Sequence, residues 1–198
     1  MDPLKQLFQE KSTAHAKAVK ELIKEHGNRV VDDVKLEQVY GGMRDITCML
    51  WEPSLLDAEE GIRFRGYSIP ELRQKLPTAP NGTEPLPEGL FWLMMVGDIP
   101  SKDEVKWLTD SWTRRANVPE HVFKAIDALP ADAHPMTQFS VAILAMQNTS
   151  VFAQRYTSGM NRSEYWDATY EDSMNLIARL PRVARIFSGV PIATTNTR

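Results

Sequence analysis

Two arginines at turns are candidates for meeting an anion. Arg44 closes a Gly-Gly-Met-Arg stretch, residues 41–44, and Arg162 stands in Asn-Arg-Ser, just ahead of a long apolar-periodic segment. A guanidinium stays charged and offers a fork of donors that fits phosphate oxygens. The plainer reading of each is a surface arginine closing a turn. Four histidines, His15, His26, His121 and His134, are the candidates for acid–base work. His134 precedes Pro135, so a capping or packing role at a helix start is expected there. His15 and His26 fall among lysines and glutamates and are expected in solvent. No pair of histidines has the i, i+4 spacing of a helical metal site. The single cysteine, Cys48, adds no cluster and permits no internal disulfide. No metal site is expected.

Other charged and nucleophilic residues read as structural. Arg63 and Arg65 alternate along a β-prone stretch, so both are expected on one strand face with Phe64 on the other, paired with Glu59, Glu60 or Glu71 as an ionic rim. Arg179, Arg182 and Arg185 stripe the end of a helical segment, where cations complement the helix dipole. Gly66-Tyr67-Ser68 begins like a nucleophile elbow but lacks its closing glycine. Ser68 reads instead as a helix N-cap, with Glu71 three residues on completing a capping box. Gly41-Gly42 is neither a dinucleotide fingerprint nor a phosphate-binding P-loop. Asn81, Asn148 and Asn161 sit in Asn-x-Ser/Thr triplets with no secretory signal beside them.

The elements that would position these residues are mostly helices. The chain has 198 residues, 42% hydrophobic and 25% charged, with a net charge of -3. That length holds a sizeable core, and the charge balance gives no reason to expect nucleic acid or an anionic membrane as partner. No apolar run reaches the roughly 18 residues of a membrane span. The N-terminus has neither the apolar core of a signal peptide nor the acid-poor, Arg-rich texture of a transit peptide.

Four regions are expected. Residues 1–29 form an amphipathic helix opened by Asp2-Pro3 and closed by Gly27 in a left-handed cap. Residues 30–68 hold short strands or hairpins, at 30–31, 46–51 and 61–67. Residues 69–188 are helical, with helices near 88–96, 119–129, 135–147 and 164–187, a second capping box at Ser101–Glu104, and Pro181 kinking the last helix. Residues 189–198 are expected to be a disordered tail. The fold class is mostly α with a short β-rich segment before residue 70. The helix after His134 carries Phe139, Val141, Ile143, Leu144 and Met146 nearly all round, so it needs burial on several sides.

Several blocks, in order, resemble citrate synthase of the eukaryotic mitochondrial type. They are GGMR (41–44), LLDAEEGIRFRGYSIPEL (55–72), EPLPEGLFWL (84–93), HPMTQ (134–138) and YEDSMNLIARLP (170–181). The resemblance runs from about residue 4 to about residue 187, and corresponds to the N-terminal part of that family. It implies helices of a citrate-synthase-like large domain. It also implies an acyltransferase reaction of the tricarboxylic acid cycle, in which acetyl-CoA, oxaloacetate and water give citrate and coenzyme A without a metal. In the family an aspartate and two histidines carry that chemistry. None of the four histidines here matches a catalytic position, so no catalytic residue is assigned.

The resemblance further implies that Arg44 and Arg162 help bind coenzyme A phosphates, the second across a homodimer. Coenzyme A would be substrate, with no tightly bound cofactor. Asp45 departs from the family's usual GGMRG; its carboxylate repels phosphate and could pair with Arg44. The helices at 135–147 and 164–187 would pair with a second copy or with another citrate synthase chain. A mitochondrial matrix location is implied by resemblance. The expectation is an N-terminal portion of a citrate synthase that is inactive alone. The alternatives are a non-catalytic dimerisation module and a half-enzyme completed by a separate chain.

Overall fold

The computed structural model describes residues 2–47 and 53–187, the last three of these by their backbone. The tail expected at 189–198 and most of the strand expected at 46–51 lie outside the described residues. The chain divides into two compact units, Met1–Val105 and Lys106–Arg198.

The first unit opens with α1 (Pro3–His26), where the Asp2 carboxylate accepts from the Lys5 N–H at 2.9 Å. Gly27 does close this helix, but in a right-handed conformation (φ −61°), not the left-handed one expected. Glycine is needed there for close approach. Its N–H donates to the Ile23 carbonyl at 2.8 Å, and a Cβ would stand 2.4 Å from that same oxygen. Val30 and Val31, expected as a strand, form none and are exposed. β-branched residues favour a strand only where a neighbouring strand receives them. The chain instead continues to a short helix, α2 (Leu36–Tyr40).

A three-stranded antiparallel meander follows: β1 (Ser54–Asp57), β2 (Gly61–Phe64) and β3 (Tyr67–Ser68). The register pairs Leu55 with Arg63 and Phe64 with Tyr67, leaving Arg65-Gly66 as a two-residue turn. Both turn residues have positive φ, 49° and 86°, which suits the right-handed twist of the flanking strands.

α3 (Ile69–Lys75) starts at the expected capping box. The Ser68 N–H and Oγ–H donate to Glu71 Oε2 at 2.7 and 2.8 Å, and the N–H bond, the larger cause, holds the Glu71 carboxyl below its usual range. α4 (Pro87–Val96) ends at Gly97 in the left-handed region, φ 84°. α1 packs on α4. The core here joins Leu72, Leu76 and Leu93 to Phe64, Tyr67, Leu90 and Ile99. α5 (Lys102–Arg115) begins behind the second expected box, where the Ser101 N–H and Oγ–H donate to Glu104 at 2.7 and 2.8 Å.

The second unit contains α6 (Glu120–Asp127), α7 (Pro135–Ala145), α8 (Val151–Thr157) and α9 (Tyr165–Phe187). A 3₁₀ turn, Met146–Thr149, extends α7, and another, Arg162–Glu164, precedes α9. Pro181 lies inside α9, whose helical backbone runs on past it. Val118, Val122, Ile126, Ala142, Met146 and Val183 form the core, with Phe123, Phe139, Ile143 and Ala145 against it. The fold is thus mostly α with a small sheet before residue 70, as the sequence leads one to expect. Among the described residues no helix is long and apolar enough to cross a membrane.

Candidate functional site

Arg44 is held in a loop whose backbone is left-handed at three of four positions. Gly42, Met43 and Asp45 have φ of 82°, 63° and 55°. An L-residue there costs about 1 kcal/mol or more, because its Cβ crowds the following carbonyl. Side-chain and backbone bonds offset that cost. The Met43 N–H donates to the Gln38 carbonyl at 2.7 Å. The Gln38 Nε2 donates to the carbonyls of Asp45 and Arg44, at 3.1 and 3.3 Å. The same side chain's Oε1 accepts from the Lys35 N–H at 2.8 Å, capping α2. Downstream, the Thr47 N–H donates to Asp32 at 2.8 Å, which lowers the pKa of that carboxyl.

The Arg44 guanidinium itself is exposed, and among the described residues no ion pair joins it to Asp45 or to any other carboxylate. Asp45→Gly should remove backbone strain at φ 55° and stabilise the fold by about 0.5–1 kcal/mol, read by chemical denaturation. A loss of stability would contradict the strain.

Arg162 sits in the 3₁₀ turn between α8 and α9. Asn161 Oδ1 accepts from the N–H and Oγ–H of Ser163, at 3.0 and 2.9 Å. Glu164 reaches back to the Asn161 N–H at 3.3 Å. Arg155 of α8 clamps the start of α9, donating to Asp167 at 2.5 Å and to Glu164 at 3.2 Å. Phe152, Tyr156 and Tyr165 cluster beside it, with ring centroids 5.1–6.0 Å apart. Asp172, one turn further along α9, receives three donors from the start of α8: Ser150 Oγ at 2.6 Å, Val151 N at 2.7 Å and Phe152 N at 3.0 Å. α8 is therefore fixed at both ends. The Arg162 guanidinium is exposed and, among the described residues, makes no ion pair. Arg44 and Arg162 belong to different compact units, each with its own supporting bonds.

The remaining sequence candidates take structural places. His134 Nδ1 accepts from the Met136 N–H at 3.1 Å, capping α7. His121 Nε2 lies 2.8 Å from the Ala145 carbonyl, tying α6 to the end of α7. His15 and His26 are exposed. Arg63 pairs with Glu60 at 2.9 Å, as expected of a rim. Arg65 corrects that expectation. It stands in the hairpin turn and not on the strand, and donates Nε and Nη2 to the Met94 carbonyl at 3.2 and 2.7 Å, closing the end of α4. Arg179 donates to Thr149 Oγ1 at 3.0 Å, and Arg182 lies over the Phe123 ring. Among the described residues no group of three or more His, Cys, Asp or Glu could hold a metal ion.

The second unit also presents an apolar face. Leu144 of α7 is 73% exposed and Leu176 of α9 is 39% exposed. Together with Ile143, Met146 and Arg179 they line a groove of about 290 Å³. Met136, at the start of α7, is 60% exposed.

Residues 42–190 match the family model described as citrate synthase, C-terminal domain. The chain belongs to the citrate synthase family. It is 53% identical over 188 residues to the mitochondrial citrate synthase of Neurospora crassa, covering 94% of this chain and 40% of that protein. It is 51% identical over 183 residues to the mitochondrial 2-methylcitrate synthase of Yarrowia lipolytica, covering 92% of this chain and 39% of that one. The mitochondrial citrate synthase of Saccharomyces cerevisiae is 50% identical over 181 residues, 91% of this chain and 38% of the relative. The chain therefore spans 38–40% of the length of these relatives. The crystal structure of citrate synthase from Pyrobaculum aerophilum shares the fold, with a TM-score of 0.58 and 20% identity over 75% of this chain and 36% of that one.

Gln38 and Asp172 were not legible as site residues. Gln38 follows Lys35 by three positions, the spacing of a capping box, but lysine at the cap hides the pattern. Asp172 serves donors 20–22 residues away, a contact that only the tertiary fold makes.

Proposed function

We propose that residues 1–198 form the part of a citrate-synthase-type acyltransferase that supplies coenzyme A phosphate contacts and a subunit interface, not the condensing groups. The observation that carries this reading is the pair of exposed arginines. In a chain about half identical to mitochondrial citrate synthases, Arg44 and Arg162 are the residues that the resemblance assigns to coenzyme A phosphates. Each is free of ion pairs among the described residues and is mounted on a loop fixed by polar bonds. A phosphate oxygen meeting such a guanidinium gains charge-assisted hydrogen bonds without first breaking a salt bridge.

The reaction itself needs a base to take a proton from the acetyl methyl and acids to polarise two carbonyls. No histidine of this chain matches those positions, and His121 and His134 are engaged with backbone groups. Residues 1–198 alone therefore bind without turning over. Coenzyme A is a substrate here, and no resident cofactor or metal is part of the reading. The apolar face of α7 and α9 supports pairing with a second copy of the chain or with another citrate synthase chain. The names of its relatives support a mitochondrial location.

Calorimetric titration with coenzyme A tests the reading. Arg44→Ala and Arg162→Ala should each weaken binding by about tenfold or more, since a hydrogen bond to a charged group contributes roughly 1.5–3 kcal/mol. Equal affinity in both variants and the unaltered chain would defeat it. A second reading, a non-catalytic dimerisation module, is favoured by Asp45. It places a carboxylate next to Arg44 at φ 55°, where glycine would be unstrained. Its signature is self-association with no coenzyme A binding at all.

A further inference from the structure

We propose that Gln38 is a positioning residue for Arg44, and that its side-chain amide sets the affinity of this loop for a phosphate-bearing ligand. The inference rests on the reading of Arg44 as a coenzyme A contact and goes beyond it, to the group that aims the guanidinium. Four observations lead to it. Residues 42, 43 and 45 hold left-handed backbone angles, which non-glycine residues keep only when their surroundings impose them. Gln38 is the side chain that imposes them: its Nε2 spans the carbonyls of Arg44 and Asp45, which flank the left-handed Asp45 Cα. Its own carbonyl takes the Met43 N–H at 2.7 Å, so both ends of the Met43–Asp45 turn are tied to one residue. Finally, its Oε1 accepts from the Lys35 N–H, so the side chain is held from behind by the start of α2 and is not free to swing.

A carboxamide is the one side chain of this length that can do both jobs, since it offers an acceptor to Lys35 and two donors to the loop. Glutamate keeps the acceptor but has no donor. An apolar side chain has neither. The loop's alternative, without the clasp, is relaxation of Met43 and Asp45 to negative φ, which swings the Arg44 Cα–Cβ bond away from its present direction. The charge is retained in that state, but its direction is lost. This is a positioning effect, so it is visible only while Arg44 is present.

A double-mutant cycle on the full 198-residue chain separates the possibilities, with coenzyme A as the probe in calorimetric titration. Gln38→Ala should weaken binding about threefold to tenfold in the Arg44 background, the worth of one or two neutral hydrogen bonds. In the Arg44→Ala background the same change should have no further effect. Gln38→Glu, which preserves the cap on α2, should lose affinity as Gln38→Ala does. That variant keeps the test alive if the alanine variant unfolds.

Arg44→Ala reducing affinity while Gln38→Ala and Gln38→Glu leave it unchanged would overturn the positioning role and spare the site. An equal loss from Gln38→Ala in both backgrounds would overturn it too, showing a general effect on folding. Unchanged affinity in Arg44→Ala would remove the site itself and the role of Gln38 with it.

Discussion

Asp172→Ala lowers the stability of the chain by about 2–4 kcal/mol and its melting temperature by about 5–15 °C. The first donors of any helix lack partners within it. At the start of α8 the N–H groups of Val151 and Phe152 and the hydroxyl of Ser150 all turn to this one carboxylate, at 2.6–3.0 Å. The negative charge also faces the positive end of the α8 dipole. Alanine leaves three donors without an acceptor at a part-buried position, which is why the expected loss exceeds that of an ordinary N-cap. Asp172→Asn should fall between, since its amide keeps one oxygen and turns a nitrogen toward a donor. The Arg162 turn is mounted on α8 and α9, so the alanine variant should also loosen amide-exchange protection over residues 158–164. An unchanged melting temperature for Asp172→Ala would contradict this account of what fixes α8.

If the chain pairs with a second copy through this face, as proposed, Leu144→Glu combined with Leu176→Glu should convert it to a monomer. Both leucines line the same groove and face solvent in the isolated chain, at 73% and 39% exposure. Burying a leucine contributes about 1.5–3 kcal/mol, and a twofold interface uses each twice. Replacing both with carboxylates removes that burial and sets like charges against each other across the twofold. The dissociation constant should therefore rise about 1000-fold or more. The folded state is expected to persist, because neither side chain is in the core of Val118, Val122, Ile126, Ala142, Met146 and Val183. Sedimentation velocity reads the result. An unaltered chain that stays monomeric and binds no ANS would sink the self-association reading.

How far the fold was legible depended on the range of the interactions that make it. Ser68–Glu71 and Ser101–Glu104 are local, three-residue devices, and both form as their spacing demands. His134 ahead of Pro135 likewise caps its helix from within the next two residues. The all-round apolar character of α7 asked for burial on several sides, but in this structure Ala142 is its buried residue and Leu144 is left exposed. Failures came where a neighbour decides. Val30 and Val31 have strand propensity, but among the described residues no strand pairs with them. Arg65 seemed to continue the alternation of Arg63 until the Arg65-Gly66 turn reversed the chain and sent its guanidinium to the end of α4. α8 was missed because Val151–Thr157 is a short helix, and much of its definition comes from Asp172 on another element. The arginines of the candidate site were visible by resemblance. The glutamine that shapes the loop around one of them was not, because its bonds go to backbone carbonyls that carry no side-chain signature.

The central proposal is that residues 1–198 contribute ligand and subunit contacts of a citrate-synthase-type enzyme and do not by themselves move protons between acetyl-CoA and oxaloacetate. The most direct measurement is thiol release from acetyl-CoA on adding oxaloacetate to the purified 198-residue chain, followed with a chromogenic disulfide. The account predicts a rate equal to that of the protein-free control, with coenzyme A still binding and Arg44→Ala weakening it. Enzyme-proportional release of coenzyme A with matching formation of citrate would contradict it.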